Sequence, residues 1–111
     1  AKADQIHAAL GPCIWQESYQ VGKDFIDTLK SYPRGYREQF LVKDETPGYF
    51  YFDLPGYVQY RLQEAGLTSI DPSPFNTFAN PEKFFSYRYR TVNHLPFNGQ
   101  QLSVICLKTT P

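Results

Sequence analysis

The sequence predicts an α+β domain in which helices pack on a mixed β-sheet, and three observations lead to this fold class. The 111 residues are 41% hydrophobic and 20% charged, which is typical of one globular domain with a modest core. Apolar residues recur at helical spacing in two segments and alternate in others. The elements follow one another as strand, helix, helix, strand and strand, an order that favours a layered structure over a bundle or a barrel.

Strands are predicted at residues 4–10, 67–71 and 100–108, and we expect them to share one sheet. The segment "QIHAALG" alternates and then meets a Gly-Pro turn. The final segment, "QQLSVICLK", is apolar on both faces, which predicts a central strand. The intervening "REQFLVKDETPGYFYFDL" is compatible with a hairpin or with an extended excursion.

Helices are predicted at residues 20–31 and 54–65, packed on that sheet. In the first, apolar side chains recur four residues apart. The second has a clear beginning and end: Asp53 is a candidate N-cap, Pro55 occupies the first turn, and Gly66 stops the helix.

Charge and composition exclude several partners. Eleven basic residues balance eleven acidic ones, so no net field attracts a nucleic acid or an anionic membrane. No apolar run approaches the roughly 20 residues that span a bilayer, and the first ten residues lack the layout of a signal peptide. We therefore expect a soluble, cytoplasmic protein in which Cys13 and Cys106 are free thiols.

Residues that carry chemistry are sparse. His7 and His94 are the only histidines, and neither has metal-ligating neighbours at a useful spacing. A site built from these two histidines and Cys13 would require the fold to gather them. The sequence contains no glycine-rich phosphate loop, nucleophile elbow or Cys-x-x-Cys pair, so it predicts no metal site and no complete catalytic set.

The segment "FFSYRYR", residues 84–90, is the most unusual stretch. If it is extended, its side chains alternate between two faces. Those faces are Phe85, Tyr87 and Tyr89 on one side, and Phe84, Ser86, Arg88 and Arg90 on the other. The second face is suited to binding a phosphate or carboxylate, although a salt bridge to a helix or base stacking is also compatible with it. Similarly, the turn at Gly11 and Pro12 either presents Cys13 to a pocket or buries it in the core.

Four ordered motifs resemble the C-terminal part of the polyphenol-oxidase or laccase-domain family. They are "GPCIWQESYQV", "FDLPGYVQYRLQEAGL", "NTFANPEKFFSYRYR" and "QQLSVICL". The resemblance implies that residues 1–111 are the C-terminal part of a single larger domain, in a zinc-dependent purine nucleoside phosphorylase that also has adenosine deaminase activity. It further implies that the metal ligands lie upstream, and that the missing N-terminal half, or a second copy, covers an open sheet edge.

By the same resemblance, this chain supplies no catalytic or metal-binding residue but contributes a wall of the substrate pocket. The implied substrate-binding residues are Cys13, Ser86, Tyr87 and Arg88, and the implied substrates are a purine nucleoside and phosphate. For Arg88 the alternative is a structural pairing with Asp53 or Glu82. For the whole chain the alternatives are a copper-dependent polyphenol oxidase and a non-catalytic structural or interaction fragment.

Three positions depart from the family pattern and bear on substrate preference. Gln20 replaces a usual glutamate and is expected to be a surface change at a helix start. Asn76 replaces a usual cysteine before Thr77, which removes a thiol. Tyr89 replaces a second arginine, and in an extended segment Arg90 can substitute for it only through a change of register.

Overall fold

The computed structural model describes residues 2–32, 38–96, 99 and 102–107, and these residues confirm the α+β class. Three α-helices lie within them: α1 is Lys23–Ser31, α2 is Leu54–Glu64 and α3 is Tyr87–Val92. The strands of the described part are β1 His7–Ala9, β2 Gln20–Val21, β3 Leu41–Lys43, β4 Phe50–Phe52 and β5 Ser69–Asp71. Short 3₁₀ turns lie at Ala3–Gln5, Gln16–Ser18 and Glu38–Phe40.

The first and fourth predicted elements do share a sheet. Strands β1 and β5 are parallel, with His7 opposite Ser69 and Ala9 opposite Asp71. An isolated parallel bridge between Cys13 and Asn76 continues this alignment beyond the strands. Parallel neighbours must be joined by a long crossover connection. Here the connection between β1 and β5 contains α1, the hairpin formed by β3 and β4, and α2. The loops that follow β1 and β5 therefore emerge side by side.

A second sheet, which the sequence did not predict, has the order β2, β4, β3 and is antiparallel. Strands β3 and β4 form a hairpin whose turn includes Gly48 at a φ of +85°, a region that favours glycine. Of the two interpretations of this segment, the hairpin is therefore correct. The predicted sheet did not include these strands: the aromatic strand β4 pairs with β2 and β3 and buries Phe52 against the helices.

The strand predicted at residues 100–108 is also wrong for residues 102–107, which form no strand; residues 100, 101 and 108 lie outside the described part. The side chains of Leu102, Val104, Ile105 and Leu107 are 76–93% exposed. An apolar segment of this kind becomes a strand only when another strand satisfies its backbone and a second layer covers it. Neither partner is found among the described residues.

The two predicted helices are present, with one changed start. Helix α1 begins at Lys23 rather than at residue 20, because Gln20 and Val21 pair with β4. Helix α2 is capped as expected: Asp53 Oδ1 accepts a hydrogen bond of 3.0 Å from Gly56 N. It ends before Gly66, whose φ is +100°. No helix in the described part of the chain has the length and apolar character needed to cross a bilayer.

The core lies between the second sheet and helices α1 and α2. Its buried members are Val21, Ile26, Phe40 and Phe52. Half-buried aromatic rings, including those of Tyr19, Phe25 and Tyr57, surround Phe52 at centroid distances of 5.0–6.0 Å. Tilted and edge-on aromatic contacts at these distances add to the burial of apolar area. Strand β2 is thus packed on the core through Val21, and the candidate site lies next to this strand.

Asn76 joins the two loops that leave the parallel strands. Its side chain is only 3% exposed, so its polar atoms need partners. Its Oδ1 accepts from Trp15 N and Phe78 N at 3.3 and 3.1 Å, and its Nδ2 donates to Glu17 Oε1 and Ser18 Oγ at 3.2 and 3.0 Å. A cysteine at this position offers one weak donor and cannot make this set of bonds. The departure at position 76 is therefore structural.

We predict that Asn76→Ala lowers the free energy of unfolding of the intact protein by about 2–4 kcal/mol, because it leaves buried backbone donors without acceptors. Urea denaturation measures this change. The matched control is Asn93→Ala, which removes one exposed bond of 2.8 Å to Tyr89 O and is expected to cost about 1 kcal/mol or less. Equal losses for the two variants would contradict the assignment of Asn76 as the link between the loops.

Candidate functional site

One cavity brings the four predicted substrate-binding residues together. It has a volume of about 290 Å³ and is bounded by the loop after β1, the end of the loop before β2, the loop after β5 and the start of α3. Its lining residues are Pro12, Cys13, Ile14, Tyr19, Thr77, Phe85, Ser86, Tyr87 and Arg88. Residues far apart in sequence thus converge because β1 and β5 are parallel and Asn76 joins the loops that follow them.

Cys13 lies half-buried in the turn after β1. Its backbone oxygen accepts a hydrogen bond of 3.0 Å from Thr77 N, which fixes it beside the loop after β5. Burial raises the pKa of the Cys13 thiol, and the nearby carboxylate of Asp53 raises it further. Because the thiolate is the nucleophilic and metal-ligating form, Cys13 is held in its neutral, less reactive form.

Ser86 begins α3, and this corrects the expectation of an extended "FFSYRYR" segment. Its Oγ accepts a hydrogen bond of 3.2 Å from Tyr89 N, so Ser86 is the N-cap of α3. The side chain is 9% exposed. In a helix, side chains do not alternate between two faces, and the predicted grouping of Ser86 with Arg88 and Arg90 on one side of a strand is therefore wrong.

Arg88 lies between α3 and β2. Its Nη1 donates a hydrogen bond of 2.8 Å to the backbone oxygen of Gln20, and its guanidinium lies 5.5 Å from the centroid of the Tyr19 ring. Neither of the carboxylates considered as structural partners, Asp53 and Glu82, makes an ion pair with it in the described structure. A carbonyl and an aromatic face orient the guanidinium, and neither of these two partners neutralises its formal charge.

The two tyrosines that flank Arg88 differ from each other. Tyr87 lines the cavity but is 72% exposed, so it does not lock the backbone by packing. The ring of Tyr89 contacts Phe78 edge-on at 5.6 Å and anchors α3 to the loop after β5. Arg90 is not among the residues that line the cavity, and its guanidinium lies 5.3 Å from the centroid of the Phe85 ring. Arg90 therefore does not take the place of a second arginine in this cavity.

Tyr19 and Thr77 are two of the five lining residues that the sequence did not predict as substrate-binding. Tyr19 supplies the aromatic face beneath Arg88, and Thr77, 5% exposed, joins the wall through its bond to Cys13. Thr77 follows β5 as Cys13 follows β1, and the two loops meet because these strands are parallel in the structure. No local pattern pointed to Tyr19, because its partner lies 69 positions away.

A second, larger cavity of about 650 Å³ lies on the other side of Tyr19 and Arg88. It is formed by β2, the start of α1 and the β3–β4 turn. Its lining residues are Tyr19, Gln20, Val21, Gly22, Lys23, Asp24, Phe25, Gly48, Tyr49 and Arg88. Arg88 thus borders both cavities.

The residues that the structure describes do not fit a metal ion. They contain no group of three or more histidine, cysteine, aspartate or glutamate side chains arranged to hold one. His7 is the first residue of β1, and its Nδ1 lies 2.5 Å from Ser69 Oγ across the β1–β5 pair. Cys13 follows the opposite end of β1.

Comparison with known proteins places the chain in a family. Residues 1–108 match the family described as multi-copper polyphenol oxidoreductase laccase. Curated relatives include purine nucleoside phosphorylases of Rickettsia prowazekii, 31% identical over 106 residues, and of Rickettsia conorii, 32% identical over 106 residues. Each alignment covers 96% of this chain and 44% of the relative. The chain thus spans less than half the length of these relatives.

Solved structures show the same fold. The Bacillus licheniformis hypothetical protein YfiH matches with a TM-score of 0.73 and 24% identity, over 82% of this chain and 34% of that one. A Neisseria meningitidis protein matches with a TM-score of 0.70 and 25% identity, over 80% and 36% of the respective chains. Since the family match extends over residues 1–108, the chain belongs to the multi-copper polyphenol oxidoreductase laccase family.

Proposed function

We propose that residues 1–111 are the C-terminal part of a single larger laccase-type domain, and that the complete protein is a purine nucleoside phosphorylase. The observation that carries the proposal is that Arg88, which has no carboxylate partner in the described structure, lines two cavities. The names of the curated relatives support the reaction class. The order of the sequence motifs supports the C-terminal position.

The reaction needs two substrates side by side. A phosphate oxygen attacks the anomeric carbon of the ribose, the glycosidic carbon–nitrogen bond breaks, and its electron pair leaves with the base, which takes up a proton. The products are ribose 1-phosphate and the free purine. A cavity of about 290 Å³ suits inorganic phosphate, and one of about 650 Å³ suits a nucleoside. A guanidinium that borders both cavities holds phosphate next to the sugar.

Arg88 is the proposed phosphate anchor. A guanidinium matches a phosphate through parallel N–H donors and keeps its charge at every physiological pH. Its bond to Gln20 O uses Nη1 and orients the group, which leaves other donors for a ligand. Ser86 and Cys13 complete the wall, and the neutral thiol of Cys13 adds no negative charge that would repel phosphate.

The metal belongs to the rest of the protein. We propose zinc, with copper as the alternative, held by residues outside this chain, because the described residues offer no ligand cluster. A zinc ion would act as a Lewis acid or activate a water molecule, and with it the protein would also deaminate adenosine. The family's description favours a second candidate function, the copper-dependent oxidation of polyphenols. A purely structural role for the isolated 111 residues is the third.

The uncovered side of β1 is the proposed contact with the remainder of the domain. A groove of about 700 Å³ lies between β1, α2 and the exposed segment 103–105. It is lined mainly by aliphatic side chains, among them Leu10, Leu54, Val58, Leu62 and Val104. We propose that the N-terminal half of the same polypeptide covers it, with a second copy as the alternative occupant. The free thiols of Cys13 and Cys106 fit a cytoplasmic location.

The function is tested by incubating the intact protein, with zinc supplied, with inosine or adenosine in the presence and absence of phosphate. We expect phosphate-dependent release of the base and formation of ribose 1-phosphate. The isolated 111 residues are expected to be inactive, because they lack metal ligands. No phosphorolysis by the intact protein would refute the proposal, and oxidation of a phenol with copper and oxygen in its place would establish the second candidate.

Replacing Arg88 with lysine keeps the charge and removes the planar fork. We predict that Arg88→Lys raises the apparent KM for phosphate about tenfold, since a hydrogen bond to a charged group contributes about 1.5–3 kcal/mol. The melting temperature should stay within a few degrees of wild type. The same change at Arg61 on α2, which lines neither cavity, is the control and should leave phosphate dependence unchanged.

One outcome would contradict the role of Arg88 as the phosphate anchor. A large fall in melting temperature with unchanged phosphate dependence would show that the Gln20 and Tyr19 contacts serve only the fold.

Cys13 reports occupancy of the smaller cavity. We predict that phosphate slows alkylation of Cys13 by iodoacetamide at least severalfold, while Cys106, which lines neither cavity, is unaffected. Because burial and Asp53 raise the pKa of Cys13, its labelling rate should continue to increase with pH above the range of an ordinary thiol. Mass spectrometry of the labelled peptides measures both rates. If phosphate slowed the labelling of both cysteines equally, the cause would be a change in the structure of the whole protein and not occupancy of the smaller cavity.

A further inference from the structure

Gln20 connects three elements around the candidate site. Its backbone pairs with Tyr51 of β4, so Gln20 belongs to β2. From the sequence we expected it at the start of a helix, and that expectation was wrong. Its side-chain Nε2 donates a hydrogen bond of 2.5 Å to Asp44 Oδ2, at the end of β3. Its backbone oxygen accepts the bond of 2.8 Å from Arg88 Nη1. One half-buried residue therefore contacts both the hairpin and the arginine.

Asp44 organises the turn of that hairpin. Its backbone N donates to Tyr49 O at 3.1 Å, and its Oδ1 accepts from Glu45 N at 2.8 Å. Tyr49 in turn lies against the start of α1: a Cβ atom added at Gly22 would be 3.5 Å from the ring. The turn and Tyr49 form a wall of the larger cavity. The Gln20–Asp44 bond thus joins this wall to β2.

Arg88 depends on β2 for its orientation. Helix α3 has six residues, and a helix this short has little stability of its own, so tertiary contacts determine where its side chains lie. The described contacts of the Arg88 guanidinium are the carbonyl of Gln20 and the ring of Tyr19, which are adjacent residues. Movement of residues 19–20 would therefore move the guanidinium relative to both cavities.

We propose that Gln20 is a positioning residue for Arg88: its side-chain amide fastens β2 to the hairpin turn and so fixes the carbonyl that orients the guanidinium. The proposal deepens the phosphorylase function and rests on it for its kinetic test. Position 20 needs a neutral donor, because a glutamate there would set two carboxylates 2.5 Å apart, a distance at which both cannot be ionised without a large cost.

The test is an exchange of donor and acceptor in the intact protein. Gln20→Glu is nearly isosteric and should raise the KM for phosphate about tenfold, and this rise should exceed any change in the nucleoside KM. Adding Asp44→Asn supplies an amide opposite the new carboxylate and keeps an oxygen for Glu45 N. The double variant should return the phosphate KM to within about threefold of wild type.

Gln16→Glu is the matched control. Gln16 is also half-buried, and its Nε2 donates to Phe40 O and Tyr51 O at 3.3 and 3.2 Å, but it does not touch Asp44 or Arg88. The same charge change there should lower the melting temperature without a selective rise in the phosphate KM. A selective rise for Gln16→Glu, or a double variant that stays impaired, would overturn the positioning role.

A second readout does not depend on activity. In the ¹⁵N-labelled protein, the guanidinium resonance that is lost in Arg88→Lys belongs to Arg88. Gln20→Glu should shift or broaden this resonance, and the added Asp44→Asn should restore it. If the wild-type protein shows no phosphorolysis but the resonance responds in this way, the proposed function fails and the positioning role stands. An unchanged resonance in Gln20→Glu refutes the positioning role regardless of activity.

Discussion

The hydrogen bonds of the buried Asn76 carboxamide are the constraint on which the candidate site depends. They join a loop that follows β1 to a loop that follows β5, and the smaller cavity lies between these two loops. A carboxamide is suited to this position because it has two donors and two acceptors on opposite sides of one small group. Any residue that satisfies fewer of these partners leaves buried polar atoms unpaired, and each such atom costs about 1–3 kcal/mol.

Arg88 shows how the fold gives a charged group a direction without neutralising it. A carboxylate partner would orient a guanidinium and also cancel much of its attraction for an anion. A carbonyl oxygen and an aromatic face orient it through dipole and quadrupole interactions, so the formal charge remains available. At 4 Å the attraction between unit charges is about 4 kcal/mol near a protein surface and about 1 kcal/mol in water. A half-buried location therefore strengthens anion binding.

The two sheets differ in how complete they are. The sheet formed by β2, β4 and β3 is covered by α1 and α2 and holds the buried core. The β1–β5 pair has two strands and an apolar groove along one side, next to a segment whose aliphatic side chains face solvent. An arrangement of this kind is stable when a further layer covers it, because exposed apolar area and unpaired strand edges both favour association. The alignment with the Rickettsia prowazekii relative, which covers 96% of this chain but only 44% of the relative, agrees with a further layer.

Local signals in the sequence determined much of the secondary structure. The cap at Asp53, the stop at Gly66 and the alternation in residues 5–10 act through neighbours within four positions, so α2 and β1 were recognisable without the fold. The motifs also indicated the family and named Cys13, Ser86, Tyr87 and Arg88, whose role in binding remains a prediction. The sequence also predicted that β1 and β5 share a sheet, but not that they pair in parallel.

Tertiary structure alone decided the rest, because the deciding partners are distant in sequence. Residues 87–92 are helical in the structure, where Ser86 caps them and Tyr89 packs on Phe78. The composition of segment 84–90 is equally compatible with a strand. The partner of Arg88 lies 68 positions away, and that of the Gln20 side chain 24. Residues 102–107 have strand-like composition, but composition cannot supply the neighbouring strand that a ladder of backbone hydrogen bonds requires.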